Sequence, residues 1–371
     1  MTKKQYSYIL TVLLAFSVFL SGCQSGQKQT ASKNEEKTRV VKTINGNVTV
    51  PANPKRVVTI GYAGTMLAFG IKPLGETGKY LESPYIKDHI SEIKNIGGKD
   101  GFSVSVEKIL KLKPDLIVSM TNDKKEYEKL SKIAPTVVYP FGTFKDARDE
   151  MKTFGELLGK EKEAREWTKT FNQKMKAARA KIKDASVQGE TFSLIGAYAK
   201  SVYVYGAYGY RGGEAIYTQL GLTPPESVKK DAIDTADGYK AISFEVLPKY
   251  AGDYIFVDES YNGKLDQDNP VWTSLDAVKK GKVFFLDPDR FWPYDPNAVQ
   301  AQAEEIADMI SKKAKNEKKS GEPKRMIRLP AFSFFIMLKL NIQCPEVRLQ
   351  ARILDGDDIG RFTRLIMVGM P

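Results

Sequence analysis

Two short segments combine aromatic rings with arginine in stretches rich in glycine or proline. Residues 203–213 carry four tyrosines and Arg211, and residues 290–296 carry a second arginine with a phenylalanine, a tryptophan and a tyrosine. Aromatic faces offer contact area with polar tips, and a guanidinium offers directed hydrogen-bond donors. The two segments therefore predict a site that binds a bulky, partly apolar ligand bearing negative charge.

Aromatic residues in the first half of the chain extend this prediction, because Tyr62, Tyr80, Tyr139 and Phe141 fall at predicted strand ends or in loops. Loops at the ends of parallel strands are where α/β folds bind ligands. The predicted ligand-binding residues are Arg211, Trp292, Tyr210, Tyr208, Tyr62, Phe141, Tyr294 and Phe291. The alternative is that many of these rings pack in the core or within loops, and it is weakest for Arg211.

Residues for enzymatic chemistry are scarce. His89 is the only histidine, and it lies in a polar stretch without a second metal ligand at suitable spacing. That leaves little support for a catalytic triad or a histidine metal site. Neither a phosphate-binding glycine loop nor a dinucleotide fingerprint follows the first predicted strand. The sequence argues against an enzyme, and it predicts no intrinsic cofactor or protein-bound metal.

The net charge of +12 raises the question of nucleic acid. No arginine-rich run, zinc-knuckle spacing or aromatic RNA-binding signature accompanies this charge. Lys3 and Lys4 belong to a leader, and the segment after Lys319 adds further positive charge. We therefore predict a solvated basic surface and no nucleic-acid partner.

Short strands alternate with helices on both sides of one long helical segment. Strands are predicted at 57–60, 115–118, 136–139, 191–197, 202–205, 253–257 and 282–286, and a hairpin with its turn at Asn45-Gly46 at 40–50. Helices are predicted at 62–69, 106–112, 127–132, 213–220, 244–250 and 298–315. This alternation favours parallel sheets covered on both faces, and the pattern recurs after the long segment.

The long segment is Glu161–Asp184, which places apolar residues at steps of three and four. These residues are Ala164, Trp167, Phe171, Met175, Ala178 and Ile182. A helix of this length spans about 36 Å at about 1.5 Å per residue. We predict that it joins two similar lobes.

One spacing is repeated between the two lobes. Glu107 and Glu245 each precede an aliphatic residue by two positions, an aspartate by eight and an isoleucine by ten. Each glutamate thus begins a short helix that leads into a strand. Chance similarity between two such units is the alternative.

The first residues predict a lipoprotein leader. Lys3 and Lys4 precede an apolar stretch that is short for a membrane span, and the sequence Leu-Ser-Gly-Cys follows, ending at Cys23. Acyl chains such as palmitate on Cys23 would hold the protein at the extracytoplasmic face of the cell membrane. An uncleaved anchor helix is the alternative.

The predicted domains divide the whole chain. They are a signal peptide at 1–22, a flexible tether at 23–38, an N-terminal α/β lobe at 39–160, a connecting helix at 161–185, a C-terminal α/β lobe at 186–316 and an atypical extension at 317–371. The extension carries an unmatched Cys344 and lacks the strand and helix rhythm, so a reading-frame change is as good an explanation as a genuine appendage.

Together, the leader, the long helix and several motifs resemble the iron-siderophore-binding lipoproteins of Gram-positive ABC importers. The motifs are PKRVV at 54–58, LKLKPDLI at 110–117, IAPTV at 133–137, RGGE at 211–214 and KYAGDYI at 249–255. The resemblance covers about residues 20–315. It implies the fold of a class III solute-binding protein, with two Rossmann-like lobes, a single backbone helix and the ligand between them.

The resemblance also implies residue roles. Glu107 and Glu245 match surface glutamates that dock against arginines of the permease dimer, while Arg211 and Trp292 match ligand contacts in relatives that bind ferric hydroxamates. Gly209 stands where those relatives have a tryptophan, and Phe141 where a tyrosine is often found, so we expect a retuned pocket.

The function expected from sequence is that of a monomeric, lipid-anchored receptor. It would capture a ferric siderophore of hydroxamate or citrate-hydroxamate type and deliver it to an ABC permease dimer. A haem- or cobalamin-binding lipoprotein of the same fold is the first alternative. A surface metal-dependent hydrolase is a second alternative with less support.

Overall fold

Two five-stranded β-sheets flanked by helices make this an α/β protein. The structure is a computed structural model, and it describes residues 37–98, 100–198, 201–260 and 263–319. The predictions for the leader, Cys23, most of the tether and residues 320–371 lie outside the described residues. Within the described part of the chain, no helix has the length and apolar character needed to cross a bilayer.

A hairpin precedes the first sheet, with β1 (Thr38–Thr43) and β2 (Gly46–Pro51) paired antiparallel. The pairing of Thr43 with Gly46 leaves Ile44 and Asn45 as the turn, one residue earlier than predicted. Gly46 begins the second strand with a φ of +95°, a conformation that favours glycine.

The first sheet is parallel throughout, as predicted. Its strands are β3 (Val57–Ile60), β4 (Gly75–Glu76), β5 (Lys94–Asn95), β6 (Leu116–Ser119) and β7 (Thr136–Val138). Their order is β5-β4-β3-β6-β7, with β3 and β6 at the centre, where every residue is buried. The helices of this half are α1 (Ala63–Ala68), α2 (Gly78–Leu81), α3 (Val106–Leu112), α4 (Lys124–Leu130) and α5 (Ala147–Leu158), with a 3₁₀ helix at Lys87–Glu92.

The long helix α6 (Glu161–Asp184) has the predicted bounds. Ala164, near its start, belongs to an apolar cluster of the first sheet, whereas Phe171, Met175, Ala178 and Ile182 belong to the core of the second sheet. Trp167 packs against both clusters. One helix therefore buries apolar surface in both halves of the molecule.

The second sheet is mixed, and the expectation of a parallel arrangement is wrong for one of its strands. The strands are β8 (Phe192–Tyr198), β9 (Ser201–Tyr205), β10 (Tyr239–Ile242), β11 (Tyr254–Asp258) and β12 (Val283–Leu286). Their order is β10-β9-β8-β11-β12, and β9 pairs antiparallel with both of its neighbours. The chain turns straight back after β8, because only a short connection separates it from β9.

Among the described residues, five short α-helices and one of 24 residues belong to this half. They are α7 (Glu226–Val228), α8 (Leu247–Tyr250), α9 (Pro270–Ser274), α10 (Asp276–Lys279), α11 (Pro288–Phe291) and α12 (Pro296–Lys319), with a 3₁₀ helix at Phe244–Val246 and π-helical turns at Glu214–Gln219 and Lys229–Ile233. The helix predicted at 213–220 is thus a π-helical turn. The loop predicted around 290–296 begins within a short helix that ends at Phe291.

Candidate ligand-binding site

Aromatic rings from both halves of the chain meet in one stack. The ring centroids of Phe141 and Tyr210 are 5.2 Å apart with planes at 2°, and those of Tyr210 and Trp292 are 4.8 Å apart at 15°. Tyr80 covers Trp292 at 5.5 Å, and its hydroxyl is hydrogen bonded to that of Tyr210. Rings separated by more than 200 positions in sequence are therefore direct neighbours.

The rings of this cluster, Tyr80, Phe141, Tyr210 and Trp292, come from segments that follow strands of both sheets. Phe141 lies three residues beyond β7, so it comes from the carboxyl edge of the first sheet. Tyr210 follows β9, and Trp292 follows β12 and α11. Although Trp292 belongs to the second half of the chain, it is buried in the apolar cluster of the first sheet, with Tyr62, Tyr80 and Met120.

The ring cluster is partly open to solvent. Phe141 is 43% exposed, whereas Trp292 is 5% exposed. The Nζ of Lys79 lies 4.6 Å from the centroid of the Trp292 ring, a cation–π contact. Phe141 also contacts Tyr208 and Tyr294, with centroids at 6.1 Å and 6.2 Å. Phe141 is thus an exposed outer ring that contacts three tyrosines of the second half.

A narrow cavity of about 10 Å³ lies beside Phe141 and Tyr294. Its lining also includes Tyr62, Met120 and Glu150. Drug-sized ligands occupy about 300–1,000 Å³. This cavity is therefore far smaller than a pocket that encloses a ligand of that size.

A larger cavity of about 430 Å³ lies away from the ring cluster. It is lined by Asn45 and by residues of the segment 121–128, which include one tyrosine and no arginine. This lining lacks the ring faces and directed donors on which the predicted ligand contacts depend, so the ring cluster is the better candidate site.

Arg211 is held by a carboxylate and a ring. Its Nε donates to Oδ2 of Asp258 at 3.0 Å, and its guanidinium carbon lies 4.7 Å from the centroid of Tyr205. Burial raises the pKa of Asp258, and the nearby Arg211 opposes that shift. Asp258 is the last residue of β11 and has a side chain only 2% exposed.

One buried acid holds a ring hydroxyl, and another holds the backbone that carries a second ring. Glu214 accepts a hydrogen bond from the Tyr294 hydroxyl at 2.9 Å and another from the Ala147 amide at 2.9 Å. Glu76 accepts hydrogen bonds from the amides of Gly61, Tyr62 and Ala63 at the start of α1. A carboxylate at a helix start complements the helix dipole, so Glu76 fixes the backbone that carries Tyr62.

Glu150 is a buried residue of α5. Its carboxylate accepts a hydrogen bond from the Thr65 hydroxyl. The pKa of Glu150 is raised to about 8, mainly by burial; the Thr65 hydrogen bond opposes this shift, and the neighbouring carboxylates of Asp295 and Glu214 add to it. Three acidic side chains from both halves therefore share one buried region beside the ring cluster.

The structure brings most of the predicted ligand residues together. Tyr208, Tyr210, Phe141, Tyr294 and Trp292 are in ring contact, and Tyr62 lines the same narrow cavity as Phe141.

Phe291 is placed differently, because it is fully buried in the core of the second sheet and packs beneath Gly212. A Cβ on Gly212 would lie 2.8 Å from the Phe291 ring. Phe291 therefore supports the loop that carries Arg211 instead of presenting its own ring to the ring cluster.

Sequence reasoning missed Lys79, Met120 and Asp258 as neighbours of the site residues. Met120 and Asp258 could have been suspected, because each lies at the carboxyl end of a buried strand. Lys79 gives no such signal, since its contact with Trp292 depends on packing between the two halves.

Glu107 and Glu245 occupy equivalent positions in the two halves. Both are exposed, and each is the second residue of a short helix preceded by a serine. Glu107 forms an ion pair with Lys111 at 2.6 Å. A hydrogen bond from Ser243 lowers the pKa of Glu245.

Residues 57–290 match the family described as "Periplasmic binding protein". The chain belongs to this family. The iron(3+)-hydroxamate-binding protein YxeB of Bacillus subtilis is 38% identical over 320 residues, which span 84% of this chain and 97% of that protein.

Solved structures show the same relationship. A FhuD fold-family periplasmic binding protein component of a ferrichrome ABC transporter from Bacillus subtilis superposes with a TM-score of 0.66 at 38% identity, covering 73% of this chain and all of that one. FhuD2 of Staphylococcus aureus with bound ferrioxamine B gives a TM-score of 0.63 at 29% identity, covering 70% of this chain and 100% of that chain. The fold is therefore the two-lobed one that the sequence resemblance implied.

Proposed function

We propose that this protein is a receptor that binds a ferric siderophore of hydroxamate or citrate-hydroxamate type and delivers it to an ABC importer. The observation that carries the proposal is the convergence of Phe141, Tyr210 and Trp292 between the two halves. The relatives named for iron(3+)-hydroxamate, ferrichrome and ferrioxamine B support the ligand class.

The chemistry of such a ligand suits this set of side chains. A hydroxamate siderophore supplies the ligands of the iron itself, so the protein contributes ring faces and hydrogen-bond donors to the outside of the chelate. Tyr208, Tyr210 and Tyr294 would offer contact area with hydroxyl groups at the rim. Arg211 would donate to the carbonyl or carboxylate oxygens of the chelate.

Binding is measured by tryptophan fluorescence, and the chain offers a clean reporter. It has three tryptophans, of which Trp292 lies in the ring cluster, while Trp167 and Trp272 pack against the core of the second sheet. A chain with Trp167→Phe and Trp272→Phe would report quenching of Trp292 alone.

We expect ferrichrome or ferrioxamine B to quench this signal with a Kd below about 10 µM, which corresponds to about −7 kcal/mol. Ferric citrate and a ferric catecholate, titrated in parallel, define the selectivity. If none of the four binds in this range, by fluorescence or by calorimetry of the unmodified chain, the ligand class is wrong.

Delivery to the importer would use the two exposed glutamates. Glu107 and Glu245 sit at equivalent places in the two halves, which suits a permease dimer that presents the same surface twice. The double variant Glu107→Ala with Glu245→Ala should bind ligand normally and lose uptake by cells. The matched control is Glu161→Ala with Glu226→Ala, because those exposed glutamates also lie in first helical turns but outside the repeated spacing. Normal uptake by the first variant would contradict the docking role.

Attachment and domain organisation complete the proposal. A signal peptide at 1–22 and a tether at 23–38 would place a monomeric receptor, acylated at Cys23, at the outer face of the membrane. The two lobes would comprise 39–160 and 186–316, joined by the helix at 161–185. Cys23→Ser should release the protein into the medium, and retention in the membrane fraction would contradict anchoring through this cysteine.

A further inference from the structure

Asp258 is buried at the carboxyl end of β11 and is surrounded by specific side-chain contacts. Its backbone pairs with Gly196 of β8, and its side chain is 2% exposed. A Cβ on Gly196 would lie 2.9 Å from the ring of Tyr205 and 3.2 Å from Oδ2 of Asp258. A side chain at position 196 would therefore displace the ring or the carboxylate, so glycine leaves room for both.

The two oxygens of this carboxylate have different partners. Oδ1 accepts hydrogen bonds from the Ser260 hydroxyl at 2.6 Å and the Ser260 amide at 3.3 Å. Oδ2 accepts from Nε of Arg211 at 3.0 Å. Ser260 thus fixes the carboxylate through one oxygen, while the other oxygen fixes the guanidinium.

Arg211 is constrained from its backbone as well. Its φ is +75°, a value uncommon for a residue with a side chain, and it stands between Gly209 and Gly212, each with a φ of +84°. Such strained residues cluster at ligand clamps. Together with the Tyr205 ring on its face, the backbone and Asp258 leave the guanidinium little conformational freedom.

A buried ion pair contributes little to stability when compared with apolar side chains of similar shape, so its presence calls for another role. Holding a flexible side chain in its bound position lowers the entropy lost on binding. Asp258 is suited to this role because it reaches Arg211 from a rigid strand instead of from a loop.

We propose that Asp258 is a positioning residue that fixes the guanidinium of Arg211 for ligand binding. This inference rests on the proposed function, since Arg211 is taken to contact the siderophore. Asp258 acts through Arg211 and needs no contact with the ligand.

The test is a double-mutant cycle with ferrioxamine B as the probe. Asp258→Asn preserves shape and removes the charge, and we expect it to weaken binding about tenfold. In an Arg211→Ala background the same change should weaken binding less than about twofold, because no guanidinium remains to be positioned. An equal loss in both backgrounds, or unchanged binding by Asp258→Asn alone, would overturn the proposal.

A matched control lies immediately before the same strand. Asp253 precedes β11 at the opposite edge of the sheet and binds the amide of Thr191 at 2.9 Å. Asp253→Asn is expected to lower thermal stability without changing affinity for ferrioxamine B. If it weakens binding as much as Asp258→Asn does, the effect is structural and the positioning role fails.

A spectroscopic measurement on the unmodified chain keeps the test informative if Asp258→Asn does not fold. The Nε–H resonance of Arg211, assigned by its loss in Arg211→Ala, should exchange with water more slowly than that of exposed Arg165. Equal exchange rates would overturn the positioning role. Absence of binding of ferrichrome, ferrioxamine B, ferric citrate and the ferric catecholate by the unmodified chain, with slow exchange at Arg211, would instead overturn the proposed function and leave the contact between Asp258 and Arg211 in place.

Discussion

The two sheets share one building unit but continue differently after their first central strands. In each half a short helix that begins near a glutamate leads to an aspartate and then to a central parallel strand. Asp115 accepts hydrogen bonds from the amides of Lys55 and Arg56 ahead of β3, and Asp253 accepts one from the amide of Thr191 ahead of β8. The repeated spacing thus corresponds to a repeated structural role.

The difference begins after β3 and β8. In the first half β3 leads directly to α1, whose amides are held by Glu76. In the second half β8 turns back into antiparallel β9, and the chain reaches its helical turn only after residues 206–213. That detour carries Tyr208, Tyr210 and Arg211. The shared unit provides the framework, and the departure from it carries three of the residues proposed to bind the ligand.

The largest predicted effect concerns the buried acids between the two halves. The pKa of Glu150 is raised from its ordinary value of 4.5 to about 8, so folding favours its protonated form. The protonated side chain favours the folded state fully below about pH 4.5. As pH rises from there towards 8, the free energy of unfolding falls by up to about 1.4 kcal/mol per pH unit. Glu150→Gln should remove this dependence. Chemical denaturation of both proteins between pH 5 and 8 measures it, and parallel pH profiles would contradict the assignment.

A smaller effect is expected from Arg211, which lies in the segment that only the second half carries. Arg211→Ala removes a charged hydrogen-bond donor and should weaken ferrioxamine B binding by about 2 kcal/mol, or roughly 30-fold. Titration of fluorescence from Trp292 measures the change. Arg290→Ala is the control, because Arg290 pairs with Glu305 at 2.8 Å. Equal losses in the two variants would remove the special role of Arg211.

The first half should contribute less through its outer ring. Phe141→Ala removes a stacking partner of Tyr210 and should weaken binding by about 1 kcal/mol. Phe141→Tyr preserves the ring and is expected to bind nearly as well as the unmodified chain. Calorimetry with ferrioxamine B distinguishes these outcomes. If Phe141→Ala loses more affinity than Arg211→Ala does, the first half contributes more to binding than the second.

The smallest effect tests the shared unit itself. Asp115→Asn and Asp253→Asn each weaken hydrogen bonds to the amides of a neighbouring strand, and each should cost about 1 kcal/mol of unfolding free energy. Thermal unfolding measures both. A cost confined to one variant would show that the repeated spacing does not carry a repeated role.

The elements that were predicted well are those whose own residues determine them. The bounds of α6 were correct because its apolar stripe is continuous and its first and last turns carry Glu161 and Lys183, which complement the helix dipole. The direction of β9 and the existence of β10 were missed, because pairing direction depends on a partner strand and not on the residues of the strand itself.

The candidate site could be predicted in composition but not in arrangement. The types and positions of Tyr210 and Trp292 pointed to a ligand site, yet nothing in their segments indicates that they stack on each other or on Tyr80. Phe291 shows the limit of such reasoning, since it adjoins Trp292 in sequence and faces a different core.

The sharing of helix α6 between two apolar clusters has a consequence for dissecting this molecule. A fragment that ends before Glu161 would lose the cover provided by Ala164 and Trp167, and a fragment that begins after Asp184 would expose the surface covered by Phe171, Met175 and Ile182. Neither half is therefore expected to fold by itself. Chimeras of this receptor should exchange loops and take α6 and the two apolar clusters that it contacts from the same parent.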